Sequence, residues 1–187
     1  MQIKELPFDL PANEWSEDTH PRSEGLHLGT IIADIERTLN PNMASWQGEW
    51  AMAGGFIWER VLSREFLGPQ LKTGKIVRPG ELQVDGIYMT PDGYDTHENV
   101  LEEWKCTWKS LNNPIEGPKF WRYWTQTKAY ARAMGTDKCR LRVLYLMGDY
   151  KGSGPCAKTY EAVFSQKEMD NNWSMIVSHA KTKGWLK

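Results

Sequence analysis

The sequence is poor in cysteine, and the few cysteines that it has are not arranged in pairs. Its 187 residues include three of them, Cys106, Cys139 and Cys156, which is an odd number without a short repeated spacing. This pattern argues against a disulfide framework and against a structural zinc site, and it predicts a reducing, cytoplasmic setting.

Long apolar runs and an excess of charge are also missing. No segment approaches the roughly 18 apolar residues that a membrane helix requires, and the polar first residues do not resemble a signal peptide, so we expect no membrane association. The formal net charge is −1, with 40% hydrophobic and 25% charged residues, as in ordinary globular proteins. Because proteins that act on nucleic acids usually have a basic surface, the charge counts mildly against that class.

Helical and extended patterns follow one another through residues 25–187 without an internal repeat or a linker, and this length suits one domain. Residues 1–24, which are rich in proline and acidic side chains, predict an N-terminal arm. Apolar periodicity and capping signals predict helices near 28–39, 45–68 and 118–134 and after Ser165. The predicted fold class is a single α/β domain with a small mixed β-sheet flanked by helices.

Two strand-like segments carry the most informative residues of the chain. GELQVDGIYMT and VLEEWKCTWKS stand on either side of Pro91-Asp92-Gly93, which we interpret as a turn. Glu103 and Lys105 alternate onto one face of the second segment, and a hairpin-like return would bring Asp85 beside them. Two carboxylates that meet a lysine suit a hard cation and a nucleophilic water, as metal-assisted phosphodiester hydrolysis requires.

An Asp followed by Glu-x-Lys on neighbouring strands resembles the PD-(D/E)XK nucleases. Further features stand in the matching order from about Leu26 to the C-terminus. GGFIWERVL offers Glu59 as an additional acidic ligand, and WTQTKAYARAMG is similar to the Q-x-x-x-Y helix of the RecB-like branch through Gln126 and Tyr130. CRLRVLYLMGDY and KTYEAVF resemble the closing strand pair. Glu59 could instead form a surface ion pair, and Gln126 and Tyr130 could be an ordinary pair at the edge of the core.

The resemblance implies a restriction-endonuclease-like core and a specific set of functional residues. The expected catalytic residues are Asp85, Glu103, Lys105, Gln126 and Tyr130. Mg²⁺ or Mn²⁺ would be held by Glu59, Asp85, Glu103 and the main-chain carbonyl of Cys106. The expected DNA contacts are Arg22, which would hold a terminal 5′-phosphate, with Arg122 and Lys128. Some RecB-like relatives hold an iron–sulfur cluster with four cysteines, and three cannot supply that set, so no cluster is predicted.

The absence of helicase motifs makes the chain resemble the compact, lambda-exonuclease-like enzymes of phage recombination. This branch implies a DNA exonuclease that resects linear duplex ends in recombination or replication, in the cytoplasm of a bacterial host. A single-strand annealing protein and further copies of the chain are its expected partners. A structure-selective or restriction-like endonuclease with the same metal site remains an alternative. A nucleic-acid-binding subunit without activity is a second alternative, although Asp85, Glu103 and Lys105 are all present.

Overall fold

The computed structural model describes residues 22–41, 54, 57, 58, 60, 61, 68–152 and 154–187. Most of the predicted arm and most of the predicted helix over 45–68, including Glu59, lie outside these residues. Within the described ranges, none of the helices combines the length and the apolar content that crossing a bilayer demands.

The first helix begins and ends where its apolar periodicity predicts. Helix α1 spans Leu28–Leu39 and buries one apolar stripe made of Leu28, Ile31, Ile32 and Ile35. A stripe repeating at three and four residues lies on one face of a helix, and its burial removes apolar surface from water. A short helix, α2, follows at Gly68–Lys72.

The central layer is a five-stranded mixed sheet. Its strands are β2 (Ile76–Val77), β5 (Gly93–Asp95), β6 (Val100–Thr107), β7 (Lys138–Tyr145) and β8 (Cys156–Val163), and they lie in that order across the sheet. Strands β6 and β7 are parallel, and the other neighbours are antiparallel. Parallel neighbours need a long crossover, and a helix supplies most of it here.

A second, smaller sheet stands beside the first. It has the order β1–β4–β3, with β1 at Leu26–His27, β3 at Leu82–Val84 and β4 at Ile87–Met89. The predicted mixed α/β fold class is confirmed, with two mixed sheets where we expected one.

The crossover helix α3 (Trp121–Met134) follows a 3-10 turn at Pro118–Phe120, and α4 (Gln166–Thr182) completes the fold. Gly135 ends α3 in the left-handed region, at φ 69°, and Ser165 with Glu168 forms the predicted capping box of α4. The main core joins apolar side chains of α1, α3 and α4 to those of both sheets. These helices therefore cover the sheet face on which the candidate site lies.

Candidate functional site

The site forms where β5 begins beside the middle of β6. Gly93 is paired with Glu102, so the residue that precedes β5, Asp92, lies next to Glu103 on the neighbouring strand. The Oδ2 atom of Asp92 accepts a hydrogen bond of 2.7 Å from the main-chain N–H of Trp104. This bond fixes the Asp92 carboxylate at the edge of β6, in line with the side chains of Glu103 and Lys105.

Gly93 allows this close approach of the two strands. A Cβ atom at this position would lie 3.2 Å from Ile76 Cγ2 and 3.2 Å from Trp104 Cζ2, which is tighter than ordinary contact. The sequence Pro91-Asp92-Gly93 therefore does more than turn the chain. Its glycine lets β5 pack against Trp104, and this packing holds Asp92 beside β6.

Lys105 connects the two carboxylates. Its ammonium donates a hydrogen bond to Glu103 Oε1 and lies 3.9 Å from Asp92 Oδ2. The side chains of Lys105 and Asp92 are 19% exposed, and that of Glu103 is fully buried. Burial lowers the pKa of Lys105, but the negative charges of Glu103 and Asp92 outweigh it and raise that pKa above its ordinary value. The amine is therefore an ammonium ion at neutral pH and cannot serve there as a general base.

Helix α3 brings Tyr130 and Gln126 to the same site. The Tyr130 hydroxyl accepts a hydrogen bond of 2.6 Å from Gln126 Nε2, as four-residue spacing on a helix permits. Burial, and then the negative charge of Glu103, raise the pKa of Tyr130 above its ordinary value. A neutral phenol thus lies within electrostatic range of Glu103 and Lys105, so the structure brings four of the expected site residues together.

The main chain of β6 adds acceptors on the side where Asp92 lies. The Thr107 carbonyl oxygen accepts a hydrogen bond from the Leu146 N–H, on the β7 side of the strand. Because the N–H and C=O groups of successive strand residues point to opposite sides, the Cys106 carbonyl is directed to the other side, like the Trp104 N–H that Asp92 binds. Burial raises the pKa of the Cys106 thiol to about 11, so its main-chain oxygen and not a thiolate is available there.

The structure contradicts the expected position of Asp85. This residue does not return beside Glu103, because β4 pairs with β1 and β3 in the smaller sheet. Asp85 and Gly86 form the two-residue turn between β3 and β4, with φ values of 51° and 80°, as Asp-Gly does in tight hairpins. Trp173 Nε1 donates a hydrogen bond of 2.8 Å to the Asp85 carboxylate.

Asp92 is the acidic residue that the sequence argument missed. The sequence contains a signal for it, because Pro91-Asp92 matches the Pro-Asp of the PD-(D/E)XK motif and stands eleven residues before Glu103. The turn-like composition of these residues hides this match. Their second role becomes visible through the pairing of β5 with β6.

The expected DNA-binding residues lie in three different places. Arg22 is within electrostatic range of Glu81, close to the start of α1. Arg122, on the first turn of α3, lies 3.6 Å from Glu36 of α1. The Lys128 ammonium is on the side of α3 that faces α4, 3.8 Å from Glu168.

The opposite face of β6 carries a buried ionic cluster. Glu102 is fully buried and accepts hydrogen bonds from Arg140 at 2.9 Å and from Arg142 at 2.8 Å. Both arginines lie on β7, where Arg140 is directly opposite Glu102. Glu102 thus has two cations of its own on the face away from Lys105.

The donor chemistry of Asp92 and Glu103 fits a divalent metal ion. Carboxylate oxygens are the ligands that Mg²⁺ and Mn²⁺ prefer, and main-chain carbonyls and water complete such shells. In the part of the chain that the structure describes, no group of three or more His, Cys, Asp or Glu side chains could hold a metal ion. A complete shell would therefore draw on the carbonyl of Cys106, on water, or on Glu59, which lies outside the described residues.

Comparison with known proteins agrees with this architecture. No family model and no curated protein matches the chain. The solved structure of SSO0001 has a TM-score of 0.53 at 11% identity, over 89% of this chain and 83% of the other. A phage-related exonuclease from Haemophilus somnus 129PT has a TM-score of 0.50 at 11% identity, over 82% and 79%. An alkaline exonuclease from Laribacter hongkongensis gives 0.49 at 16% identity, over 91% and 93%.

The fold expected from the motifs is thus confirmed by a solved structure. The part of this chain that matches the Haemophilus somnus protein is 82%, so the likeness extends over the whole domain and not over one motif. This chain shares its fold with the solved phage-related exonuclease from Haemophilus somnus 129PT.

Proposed function

We propose that this protein is a metal-dependent DNA exonuclease that resects linear duplex ends. The observation that carries the proposal is the convergence of Asp92, Glu103 and Lys105 at the start of β5. The fold shared with a phage-related exonuclease supports the same reading. A bacterial or phage recombination role, with a single-strand annealing protein as partner and further copies of the chain, follows from the same resemblance.

Asp92 and Glu103 would hold Mg²⁺ or Mn²⁺, with the Cys106 carbonyl and Glu59 as further ligands. Asp92 takes the place that we first gave to Asp85. The bound ion would supply a water of lowered pKa and a positive charge against the phosphate oxygens.

Lys105 would orient the attacking water and stabilise the negative charge of the transition state. A lysine suits this role, because the group has to carry its charge at the pH of the reaction, and an ordinary lysine has a pKa of about 10.4. Tyr130 and Gln126 would position the phosphate from α3, with the neutral phenol as a hydrogen-bond donor. Hydrolysis adds water across the P–O3′ bond, and it leaves a 5′-phosphate on one product and a 3′-hydroxyl on the other.

Incubation with end-labelled linear duplex DNA tests the proposal. We expect nucleotides to be released when Mg²⁺ or Mn²⁺ is present, and we expect no release when EDTA is in excess. A matched sample of Lys105→Met, in which the ammonium is replaced by an apolar side chain of similar length, should be inactive in both conditions. Full activity of the wild-type protein in excess EDTA would contradict metal dependence, and absence of any cleavage with either metal would contradict the nuclease.

A further inference from the structure

A cluster of three cations lies at the end of β6 beyond the catalytic residues. Lys109 follows β6, Lys119 belongs to the 3-10 turn, and Arg122 lies in the first turn of α3. The Lys109 ammonium donates a hydrogen bond to the main-chain carbonyl of Lys119 and lies 5.1 Å from the ring centroids of Phe120 and Tyr123. Aromatic faces attract cations, so the ammonium is held in one place.

The charges of this cluster are not balanced by their acidic neighbour. Arg122 lies 3.6 Å from Glu36, and Lys119 bonds to the neutral side chain of Asn113 at 2.8 Å. Burial lowers the pKa of Lys109, and repulsion by Arg122 and Lys119 lowers it further, while Glu36 acts in the opposite direction. Among the described residues, these three cations meet the one carboxylate of Glu36, and in a chain of net charge −1 they form a local surface that favours an anion.

Tyr123 connects this cluster to the active site. Burial raises the pKa of Tyr123, and the positive charges of Lys105 and Arg122 act on it in the opposite direction, so its hydroxyl lies within electrostatic range of both cations. Thr107 lies two residues after Lys105 on the same face of β6, and Lys109 lies two residues further. Four residues span at most about 14 Å, and the phosphates of one strand of a duplex rise by about 3.4 Å per base pair. A phosphate bound at Lys109 and a phosphate at Lys105 would therefore be separated by at most about four base pairs of one strand.

We propose that Lys109, Lys119 and Arg122 bind a backbone phosphate of the nucleic acid close to the scissile one. This inference rests on the proposed function, and it adds a subsite that sets the register of the strand. The shared chemistry is that of a phosphate anion, so the subsite could also accept free phosphate. Contacts to phosphates position a strand without reading its sequence, which suits an enzyme that moves along DNA of any sequence.

The salt dependence of DNA binding tests this subsite separately from cleavage. We would measure the affinity for a labelled duplex by fluorescence anisotropy in EDTA, over a series of salt concentrations. The variants are Lys109→Gln, Lys119→Gln, Arg122→Gln and the triple substitution. Each lost phosphate contact lowers the slope of log K against log salt by about 0.9. We expect a loss of about one such step in the triple variant, and a smaller loss of slope together with weaker binding in each single variant.

Lys138→Gln is the matched control, because it removes the same charge at the opposite end of the sheet. Lys138 is exposed and begins β7, opposite Val100 at the start of β6. The slope of log K against log salt for Lys138→Gln should equal that of the wild-type protein. Lys109→Arg keeps the charge, so its slope should equal that of the wild-type protein and exceed that of Lys109→Gln. If the triple variant does not fold, as judged by thermal melting, the slopes of Lys119→Gln and Arg122→Gln decide the question.

The outcomes separate this inference from the proposed function. Slopes that are unchanged in every variant, with DNA still bound and cleaved, would overturn the subsite and leave the nuclease intact. A wild-type protein that binds no duplex would overturn both. Inorganic phosphate is the second probe: if it raises the melting temperature of the wild-type protein but not of the triple variant, while the DNA slope is unchanged, the cluster is a site for free phosphate and the inference fails.

Discussion

At the scale of single residues, two aspartates are candidates for the carboxylate that would bind a metal ion beside Glu103. Asp92 contacts β6 through the Trp104 N–H, whereas Asp85 ends a hairpin and accepts a hydrogen bond from Trp173. Both residues are aspartates, so only their contacts in the folded protein distinguish them. A carboxylate next to a buried glutamate and a lysine can take part in metal binding, and one that is bound by an indole N–H in a turn has a structural role.

We therefore predict opposite effects for two isosteric substitutions. Asp92→Asn removes a charged ligand and should reduce the single-turnover cleavage rate on the order of 10² to 10³-fold, as loss of a preorganised charged group does elsewhere. Asp85→Asn keeps the turn, because Asn-Gly also favours this hairpin, and should cleave at nearly the wild-type rate. Quench-flow measurement with saturating Mg²⁺ distinguishes them. The reverse order of rates would return the role to Asp85.

The charge of Lys105 gives a prediction for alkaline pH. Glu103 and Asp92 raise the pKa of Lys105, and a divalent ion bound by these carboxylates would offset their charge, so the ordinary lysine pKa of about 10.4 sets the limit for the active protein. The charged form is present below that value, and the cleavage rate should therefore show no fall between about pH 7 and about pH 9 that arises from this group. Rates of the wild-type protein and of Lys105→Arg should keep a constant ratio across the range. A fall that is absent in the arginine variant would contradict the assignment.

At the scale of elements, β6 separates two kinds of buried glutamate. The side chain of Glu103 faces Lys105 and α3, and that of Glu102 faces the arginines of β7. Adjacent residues of a strand point to opposite faces, so the neighbouring glutamates meet different partners, Lys105 on one side and the arginines of β7 on the other.

Substitution of Glu102 should affect stability rather than chemistry. Glu102→Gln removes the buried counter-charge of Arg142, while Arg140 keeps Asp95, Glu98 and Glu161, and loss of one partner of a buried pair typically costs about 3 to 5 kcal/mol of unfolding free energy. Urea titration measures this loss. The control is Glu161→Gln, which removes another carboxylate that contacts Arg140. The Glu161 side chain is 72% exposed, so this substitution should change the unfolding free energy by no more than about 0.5 kcal/mol. Equal losses in both would contradict the role of burial.

At the scale of the whole molecule, a free DNA end is the expected requirement for activity. An exonuclease that receives its substrate by threading finds no terminus on a covalently closed circle. We predict that linear duplex is degraded progressively while relaxed closed circles stay intact, as gel electrophoresis of both in one reaction would reveal. A circle that carries a single nick is the control for strand access. Rapid nicking of closed circles would favour the endonuclease alternative.

Local patterns were enough to predict the three long helices α1, α3 and α4, whereas GELQVDGIYMT, interpreted as one strand, forms the hairpin of β3 and β4. The apolar stripe of α1, the left-handed Gly135 after α3 and the capping box at Ser165 each depend on residues within a few positions of one another. Such signals can be recognised in a sequence because the backbone conformation they favour is local. For the same reason, Glu103 and Lys105 could be assigned to one face of one strand.

The sequence by itself therefore determined the long helices and the face of β6 that carries Glu103 and Lys105. The tertiary structure decided which aspartate lies beside this pair. The pairing of β5 with β6 selects Asp92, and the pairing of β4 with β1 and β3 removes Asp85 to another sheet. Strand order depends on contacts between distant segments, and two aspartates that follow similar apolar runs look alike before those contacts are known. The cation cluster around Tyr123 has the same origin, because β6, the 3-10 turn and α3 meet only in the folded chain.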